Sequence, residues 1–305
     1  MDAVRVFAPG SISNLGPGFD CLGAAITGRG DTVTARRSEV PGVRVSSVSD
    51  ARIPTDAARN TSAIAATSAL RGVAGAGMDI AIEKGLPLAG GMGGSAASAV
   101  AGAVAADALF GLGLSQDALL SAALDAEAVV AGRHADNVAP SLVGGLVLVL
   151  GIDPPVVVAR AVHADWRIVL VTPAYGVETA QARAVLPATL PRADAIAQAA
   201  NLAGLLAGLE SGDAALVGRS MDDRVAEPYR LPLYPGYPEA RAAGRAAGAA
   251  GVAVSGAGPT VMAIVRAGQE DAVGAAMKGA YARLSIDAAV HAAAIDPRGA
   301  RVVSA

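Results

Sequence analysis

The fold of the chain is decided by one stretch, PLAGGMGGSAAS at residues 87–98. Four of its glycines fall within five positions, and Ser95 then opens a run of small residues that predicts a helix. A predicted strand, DIAIEK at 79–84, comes just before it. A helix N-terminus offers unpaired N–H groups and a partial positive charge, and glycines let an anion approach the backbone closely. The order of strand, glycine loop and helix therefore favours an anion-binding loop.

Two common phosphate-binding patterns do not fit this stretch, and one structural alternative does. The Walker pattern requires a Lys followed by Ser or Thr, which is absent here. The dinucleotide pattern begins at Gly91 and Gly93, but its spacing then breaks. A tight turn followed by a closely packed helix of small residues explains the glycine content equally well. The glycines alone leave both interpretations open.

The composition indicates a folded protein with a core of small side chains. The 305 residues are enough for two domains or one large one. Hydrophobic residues make up 53% and charged residues 17%, which argues against disorder. Aromatic residues are only 3%, so we expect small aliphatic side chains to fill the core. A net charge of -3 without a basic stripe excludes a nucleic-acid binder.

Cysteine usage and hydropathy point to a cytoplasmic location. Cys21 is the only cysteine, which excludes an intrachain disulfide and a cysteine metal site. The N-terminus predicts a strand rather than a secretory signal. The longest strongly apolar run, residues 142–152, has 11 residues, whereas a membrane helix needs about 20. We therefore expect a buried strand there and no contact with a membrane.

The order of predicted elements indicates an α+β fold. Two prolines at 154–155 follow a buried strand and predict a boundary between domains at 1–155 and 156–305. The second part is predicted as strand, helices, two strands, helix and strand, which is typical of α+β layers. The predicted strands lie at 4–7, 31–37, 43–48, 79–84, 144–151, 166–173, 251–265 (two strands) and 287–295, and the predicted helices at 60–73, 95–110, 115–131, 178–221 and 269–284.

Three further segments hold polar residues between apolar ones. They are APGSISNLGPGFDCLG at 8–23, GRHADNVAPS at 132–141 and VSGAGPT at 254–260. Taken singly, each has a structural explanation: an Asn in a turn caps backbone groups, and glycines in a hairpin adopt positive φ. Glu127 lies near the end of a predicted helix, where a glutamate is usually exposed to solvent.

Taken together, these segments resemble the GHMP kinases, named for galacto-, homoserine, mevalonate and phosphomevalonate kinases. Three glycine-rich motifs occur in the order expected for that family. NLGPGFDCLG and HADNVAPSLVGG are specifically similar to the homoserine kinase family, as are ETAQARAVLP at 178–187 and AEPYR at 226–230. The resemblance covers essentially the whole chain. It implies a two-domain fold, with an N-terminal part like domain 2 of ribosomal protein S5 and a C-terminal ferredoxin-like α/β sandwich.

The resemblance implies that the glycine loop holds the triphosphate of ATP. Ser95 and Glu127 would ligate Mg²⁺, an ion that keeps several waters and takes only one or two protein oxygens. Gly94 stands where the family usually has Ser, which removes one hydroxyl near the phosphates. The nucleotide-binding residues implied are Pro87, Leu88, Ala89, Gly90, Gly91, Met92, Gly93, Gly94, Ser95, Ala96 and Ala97.

The resemblance also implies a pocket for homoserine. Arg183 and Arg230 would clamp the carboxylate, because the planar guanidinium group binds a carboxylate through two N–H groups. Asn14 and Asp20 would lie at the hydroxyl and ammonium end, and the pocket would be completed by His134, Asn137 and Thr179.

The implied catalytic residues are Asn14, Ser95 and Glu127. Asn14 would polarise the acceptor hydroxyl, whose proton leaves to phosphate or solvent. Lys84 and Lys278 are the only lysines and lie outside the family motifs, so a lysine-assisted mechanism is not expected.

The implied reaction is the ATP-dependent phosphorylation of L-homoserine to O-phospho-L-homoserine, a step toward threonine. Two alternatives stay open. One is a GHMP kinase for another small alcohol, such as threonine or mevalonate. The other is a non-catalytic nucleotide binder that keeps the fold, against which the presence of Ser95 and Glu127 argues. The sequence leaves open whether the protein is a monomer or a homodimer.

Overall fold

The computed structural model describes residues 2–130 and 132–304, which form two sheets and their covering helices. No helix in these ranges is long and apolar enough to cross a membrane. The strands are β1 (Ala3–Asn14), β2 (Gly18–Arg37), β3 (Gly42–Val48), β4 (Gly77–Glu83), β5 (Leu146–Ile152), β6 (Pro155–Arg160), β7 (Trp166–Pro173), β8 (Gly251–Val254), β9 (Val261–Arg266), β10 (Ala288–Ala293) and β11 (Arg301–Ser304). The helices are α1 (Thr61–Ala69), α2 (Gly94–Phe110), α3 (Gln116–Val130), α4 (Ala135–Val143), α5 (Thr179–Ala184), α6 (Arg192–Ser211), α7 (Ala214–Ser220), α8 (Glu227–Arg230), α9 (Tyr237–Ala246) and α10 (Glu270–Arg283).

The first sheet is built around the long strand β2. Its order is β11-β1-β2-β4-β3, with β5 paired to β2 and β6 paired to β5. Residues 32–37 of β2 pair with β4, whereas residues 22–24 pair with β5, so the strand changes partner along its length. The far end of β1 reaches the glycine loop, where the Ser11 N–H donates to the Met92 carbonyl at 3.2 Å.

Helices α1 to α4 pack against the first sheet and against each other. Alanines dominate the buried residues of α2. Gly102 lies against α1, where a β-carbon would come within 2.2 Å of the Ser62 carbonyl oxygen. Small side chains therefore allow the helices to approach closely, at the density typical of protein interiors. The expected core of small aliphatic residues is confirmed.

The second sheet is antiparallel, with the order β10-β7-β9-β8. Helices α9 and α10 pack against it. Three of the few aromatic side chains, Tyr234, Tyr237 and Tyr281, are fully buried in this second core. Sheets covered by helices in both halves confirm the predicted α+β fold.

Two segments from beyond the predicted domain boundary lie in the first sheet. Strand β6 covers residues 155–160 and pairs with β5. After β10 the chain returns to the first sheet. Ile295 forms an isolated antiparallel bridge with Ile26 of β2, and β11 then pairs antiparallel with β1. The division into 1–155 and 156–305 therefore stays a prediction.

Elements with strong local signals occur where they are predicted. The expected strand at 166–173 is β7. Asn60 caps α1 by accepting a hydrogen bond from the Ala63 N–H at 3.1 Å, and Ser115 caps α3 by accepting one from the Ala118 N–H at 3.2 Å. The predicted end of α3 at Ala131 lies outside the described residues.

Three predictions of secondary structure differ from the structure. The predicted helix at 178–221 is divided into α5, α6 and α7, because prolines supply no N–H to a helix and Gly212 ends α6 in the left-handed conformation at φ 78°. Residues 135–143 form α4, although no helix is predicted there; packing against β1, β2 and β5 holds it. The sequence predicts an irregular Pro/Tyr segment at 227–240 followed by a short helix to about 248, whereas the structure has α8 within that segment and begins α9 at Tyr237.

Candidate active site

A cleft of about 460 Å³ brings the predicted site residues together. Its walls include the glycine loop, the end of β1, the start of β2, the starts of α4 and α5, and the turn between β8 and β9. The predicted residues that line it are Asn14, Asp20, Pro87, Leu88, Ala89, Gly90, Gly91, Gly93, Gly94, Ser95, Glu127, His134, Asn137, Thr179, Arg183 and Arg230.

Three residues of the predicted nucleotide loop do not line the cleft. The side chains of Met92, Ala96 and Ala97 pack into the first hydrophobic core. These side chains lie on the faces of the loop and of the first turn of α2 that point into the core. A contribution from these positions to nucleotide binding would therefore come from backbone groups, not from side chains.

The shape of the glycine loop depends on Gly91 and Gly93. Both have positive φ, 72° and 64°, a conformation that side-chain-bearing residues rarely adopt. Both also lie against other motifs: a β-carbon on Gly91 would meet the Ser255 carbonyl oxygen at 2.5 Å, and one on Gly93 would meet Ser11 Oγ at 2.1 Å. Gly93 is the N-cap of α2, so the unpaired N–H groups of the first helical turn begin at this point.

The turn between β8 and β9 supports the glycine loop from the second sheet. The Ser255 hydroxyl donates to the Gly91 carbonyl at 2.6 Å. The Gly256 N–H donates to the Ser13 carbonyl at 3.1 Å. The three glycine-rich segments of the sequence therefore meet at one place and fix each other's positions.

Replacing Gly93 with Ala is expected to lower kcat/KM for ATP by at least about 100-fold, because a misplaced loop backbone loses its alignment with the reacting group. The added methyl group would clash with Ser11 and would stand at positive φ. Steady-state kinetics with varied ATP measure the effect.

Gly111→Ala is the matched control for this substitution. Gly111 ends the same helix at φ 65°, but a β-carbon there meets nothing within 4 Å. It should cost about 1 kcal/mol of stability without changing the kinetics of ATP. Equal kinetic losses in the two variants would contradict a specific role of the Gly93 loop.

Glu127 is a buried carboxylate with an unused oxygen. It extends from α3 and is only 5% exposed, and its Oε1 has no hydrogen-bond partner among the described residues. Burial raises the pKa of Glu127 to about 7, and Asp136 adds to the rise, while interactions with Ser95 and Lys84 oppose it. A buried carboxylate oxygen without a partner is costly unless a cation or proton satisfies it.

The pair Ser95 and Glu127 fits a magnesium ion. Mg²⁺ prefers oxygen ligands and usually binds to one or two protein groups together with phosphate oxygens and water. In the described part of the chain, no group of three or more His, Cys, Asp or Glu side chains could hold a metal by itself. A site that shares its ion with phosphates does not require one.

A buried ion pair that the sequence motifs do not indicate lies below the glycine loop. Lys84 Nζ donates to the Asp31 carboxylate, to the Gly94 carbonyl at 2.7 Å and to Ser98 Oγ at 3.1 Å. Asp31 is fully buried. An ammonium group has three N–H donors, and these contacts use all three. Lys84 thus lines the cleft although it lies outside the sequence motifs, and its donors are bound to Asp31 and to the start of α2.

Gly94 has no backbone requirement for glycine, because it is absent from the positions with positive φ. A β-carbon there would lie 3.3 Å from Lys84 Nζ and 3.5 Å from the Pro87 carbonyl oxygen. A small side chain there would therefore press on the Lys84 ammonium group, which is held in place by its three hydrogen bonds.

Asn14 lies between the glycine-rich turn at Gly256 and the segment that carries Asp20. Its Nδ2 donates to the Gly256 carbonyl at 3.1 Å, and its Oδ1 accepts from the Asp20 N–H at 3.1 Å. An amide group has two N–H donors and two acceptor lone pairs, so half of its capacity is left for a bound molecule. Asn14 is also held at φ 68°, a conformation in which Asn is favoured.

Charged side chains gather at the other end of the cleft. Arg183 forms two hydrogen bonds to the Asp20 carboxylate, at 3.1 and 2.8 Å. Arg230 is 3% exposed; its Nε donates to the Ala182 carbonyl at 2.8 Å and its Nη1 to the Gly256 carbonyl at 3.3 Å. Within the described ranges, the buried Nε of Arg183 has no hydrogen-bond partner.

Phe19 and His134 complete this end. The Phe19 ring lies 5.6 Å from Cζ of Arg183 and 5.1 Å from Cζ of Arg230. His134 Nδ1 is 3.8 Å from Asp20 Oδ2. Burial lowers the pKa of His134, so its neutral form is favoured, while Asp20 acts in the opposite direction.

Asp136 is a second buried carboxylate that sequence reasoning gave no role. It lies in the first turn of α4 and lines the cleft. Burial raises its pKa to about 6, Asp20 adds to this rise, and a hydrogen bond to Ser13 opposes it. The same helix brings in Asn137, which accepts from Ser11 Oγ and donates to Ser13 Oγ, both at 2.9 Å. An acidic residue at the start of a helix was the available signal, but that helix was not predicted.

The raised pKa of Asp136 makes stability depend on pH. The unfolded carboxyl group loses its proton near its ordinary pKa of 3.8, whereas the folded one keeps it to about 6. The free energy of unfolding should therefore fall as pH rises from about 4 to 6, and Asp136→Asn should remove this part of the fall. We expect the variant's stability relative to the natural protein to rise by about 2 to 3 kcal/mol over that range, measured by urea denaturation with EDTA.

Asp153→Asn is the control, since Asp153 is exposed in the turn between β5 and β6. Its pH profile should run parallel to that of the natural protein. If the free energy of unfolding of Asp136→Asn also changes with pH in parallel with that of the natural protein, the Asp136 carboxyl group is ionised in the folded protein at low pH and the prediction is wrong.

The fold and the site define a class of protein. Residues 57–145 match the family model described as "GHMP kinases N terminal domain", and residues 205–283 match "GHMP kinases C terminal". The structure resembles the crystal structure of Leishmania major mevalonate kinase in complex with R-mevalonate, with a TM-score of 0.70 at 19% identity over 90% of each chain, which shows the shared fold. The chain belongs to the GHMP kinases.

Closer relatives narrow this class. A homoserine kinase of Xanthomonas campestris is 40% identical over 98% of this chain and 94% of its own length, and one of Arabidopsis thaliana is 37% identical over 99% and 85%. The crystal structure of homoserine kinase from Cytophaga hutchinsonii has a TM-score of 0.95 and 38% identity, covering 99% of this chain and 98% of its own. Within the GHMP kinases, the chain belongs to the homoserine kinase family.

Proposed function

We propose that the protein transfers the γ-phosphoryl group of ATP to the hydroxyl group of L-homoserine and forms O-phospho-L-homoserine, a step toward threonine. One observation carries the proposal: a single cleft has a glycine loop with Glu127 at one end and the charged group of Asp20, Arg183 and Arg230 at the other. The first end suits a triphosphate and its metal. The second suits the ammonium and carboxylate groups of an amino acid.

We infer that the triphosphate lies along the loop from Pro87 to Ser95. The N–H groups of the first turn of α2 and the helix dipole would stabilise its negative charge. Gly91 and Gly93 keep the loop in this shape, since a β-carbon on either would clash with Ser255 or Ser11 and displace the loop. Because Lys84 has no donor left, the loop depends on backbone groups for most of this stabilisation.

Ser95 and Glu127 would hold Mg²⁺ through the hydroxyl and the carboxylate. When bound, the ion neutralises charge on the phosphate oxygens and orients them for transfer. The unpartnered Oε1 of Glu127 supports this assignment, since an ion would satisfy it. Asp136 contributes negative charge to the same region and favours the presence of a cation.

The charged end would bind the α-amino acid part of the substrate. Arg183 and Arg230 provide two guanidinium groups for the carboxylate, and the buried, unpartnered Nε of Arg183 gives one of them a free donor. Asp20 provides the negative charge for the ammonium group, with His134 beside it. His134, Asn137 and Thr179 would close the pocket around the side chain of the substrate.

Asn14 would orient the acceptor hydroxyl. Phosphoryl transfer proceeds through a loose transition state that requires alignment and charge stabilisation more than a strong base. The second N–H of Asn14 Nδ2 would donate a hydrogen bond to the acceptor oxygen and fix its position, and the hydroxyl proton would leave to phosphate or solvent.

Asn14→Asp and Asn14→Ala test this role together. Asp retains the oxygen that accepts from Asp20 and tolerates positive φ, but it has no N–H donors. Both variants should lower kcat by about 10- to 100-fold at saturating substrates, since an aligned donor is lost in each. Near-normal kcat in either variant would contradict the proposed role.

An assay of ADP release with Mg·ATP tests the function as a whole. L-homoserine, L-threonine, L-serine and mevalonate serve as acceptors, and ³¹P NMR identifies the product as a phosphate monoester. We expect the highest kcat/KM with L-homoserine. No ADP above background with L-homoserine would overturn the proposed function, whereas a higher value with threonine or mevalonate would reassign the acceptor.

We also propose a cytoplasmic location, because the reaction requires Mg·ATP and because the one thiol, Cys21, is compatible with a reducing compartment. Fractionation of the cells that produce the protein tests the location. Light scattering in solution distinguishes the monomer from the homodimer.

A further inference from the structure

Two residues outside the glycine motifs connect the segment that carries Asp20 with the segment that carries Arg230. They are Gln198, in the second turn of α6, and Asp223, in the segment between α7 and α8. Asp223 is only 7% exposed. No other part of the proposed mechanism uses either of them.

Asp223 organises the chain that leads to Arg230. Its Oδ1 accepts from the N–H groups of Val225 at 2.8 Å and Ala226 at 3.1 Å, and its Oδ2 accepts from the Glu227 N–H at 2.9 Å. These three bonds fold the segment into the start of α8, and Arg230 is the last residue of that short helix. The position of Arg230 therefore depends on the Asp223 carboxylate.

Gln198 joins this segment to the one that carries Asp20. Its Nε2 donates both to Asp223 Oδ1 at 3.0 Å and to the Pro17 carbonyl at 2.8 Å. Its Oε1 accepts from the Arg224 N–H at 2.7 Å. One amide group thus holds two parts of the chain that are far apart in sequence.

The two parts carry opposite charges for the substrate. Pro17 leads directly into Phe19 and Asp20, and the Phe19 ring lies 5.1 Å from Cζ of Arg230. Moving Pro17 relative to Asp223 would change the distance between the carboxylate of Asp20 and the guanidinium of Arg230. That distance decides which ammonium and carboxylate pair fits between them.

We propose that Gln198 and Asp223 are positioning residues that fix the spacing between Asp20 and Arg230 and thereby set the affinity for the α-amino acid substrate. This inference rests on the proposed function. The inference extends that function to two residues that contact neither substrate. Each of them acts by holding a segment of backbone in place.

Electrostatics add a second contribution from Asp223. Burial lowers the pKa of Arg230, and the negative charges of Asp20 and Asp223 are among the groups that oppose this change. Asp223 therefore stabilises the positive charge of a buried guanidinium group as well as its position. Asp223→Asn would remove this charge and the acceptor for Glu227, while keeping an oxygen for the other bonds.

Gln198→Leu, Asp223→Asn and Asp223→Ala test the proposal. Leu has a size similar to Gln but makes none of its hydrogen bonds. We expect Gln198→Leu and Asp223→Ala to raise KM and the calorimetric Kd for L-homoserine by about 10- to 100-fold, and Asp223→Asn to raise them less. KM for ATP should change far less, because neither Gln198 nor Asp223 makes a hydrogen bond to the glycine loop in the described part of the chain.

Asp213→Asn is the control. Asp213 caps the neighbouring helix α7 by accepting from the Leu216 N–H at 2.9 Å, and its hydrogen bonds to other described residues all stay within residues 208–217. It should leave KM and Kd for L-homoserine unchanged. Thermal unfolding of every variant verifies that the fold persists.

The outcomes separate the inference from the function on which it rests. One outcome would overturn the positioning role alone. In it, the natural protein binds and phosphorylates L-homoserine, but KM for ATP rises in the variants as much as KM for L-homoserine does. Unchanged KM and Kd for L-homoserine in Gln198→Leu and Asp223→Ala would do the same. A natural protein without activity or binding toward any amino acid of the panel would overturn both.

Discussion

Replacing Glu127 with Gln is expected to lower kcat/KM by at least about 100-fold, because a carboxylate that holds the metal contributes several kcal/mol to charge stabilisation in the transition state. Gln has nearly the same shape, so the packing of α3 against α2 should persist. The Mg²⁺ concentration that gives half-maximal activity should rise as well. Kinetics over a series of Mg²⁺ concentrations at fixed ATP measure both quantities.

Glu83→Gln is the matched control for the Glu127 substitution. Glu83 is an exposed glutamate at the end of β4 that pairs with Arg5 at 2.9 Å. Exposed pairs of this kind contribute little, so activity and Mg²⁺ dependence should not change. If Glu127→Gln retained full activity with an unchanged Mg²⁺ dependence, Glu127 would not be the metal ligand.

Replacing Arg183 with Ala is expected to raise KM for L-homoserine by about 10- to 100-fold, because Arg183 and Asp20 form a half-buried pair and a charge-assisted hydrogen-bonded contact contributes about 1.5 to 3 kcal/mol. The loss has two parts. The substrate carboxylate loses a guanidinium group, and Asp20 loses the partner that forms two hydrogen bonds to it. KM for ATP should change far less, since the hydrogen bonds of Arg183 go to Asp20 and, within residues 2–130 and 132–304, none reaches the glycine loop or Glu127.

Two further variants sharpen this prediction. Arg183→Lys keeps the charge but not the planar pair of donors, so KM should lie between those of the natural protein and the Ala variant. Arg192→Ala removes an exposed arginine at the start of α6 and should have no effect. A KM for L-homoserine that is unchanged in Arg183→Ala would contradict the proposed carboxylate site.

Local signals were sufficient for much of the fold. The continuous apolar run of β7, the cap residues Asn60 and Ser115, and the small residues of α2 each act over a few positions, so a short window of sequence contains the cause. The helix α4 was missed because its stability comes from packing against three strands that are distant in sequence. Packing of this kind leaves little trace in the segment itself.

The same distinction applies to the site. The residues of the glycine loop and of the charged end were identified through motifs that resemble a known family, and all three segments meet in the structure. Residues that act through long-range contacts were missed. Lys84 and Asp31 are 53 positions apart, and Gln198 lies 181 positions from its contact at Pro17. Spacing along the chain carries no information about such pairs.

Strand β11 completes the first sheet, and its residues 301–304 are synthesised after all the other described strands. Strand β1 is made before these other strands, yet one of its two edges is covered only when residues 301–304 pair with it. Until then that edge presents unpaired N–H and C=O groups, which can pair with other chains. The second sheet is synthesised in the interval between the two strands. A ribosome that stalls within the second half would thus release a first sheet with an open edge, and such truncated products should depend on chaperones for their solubility.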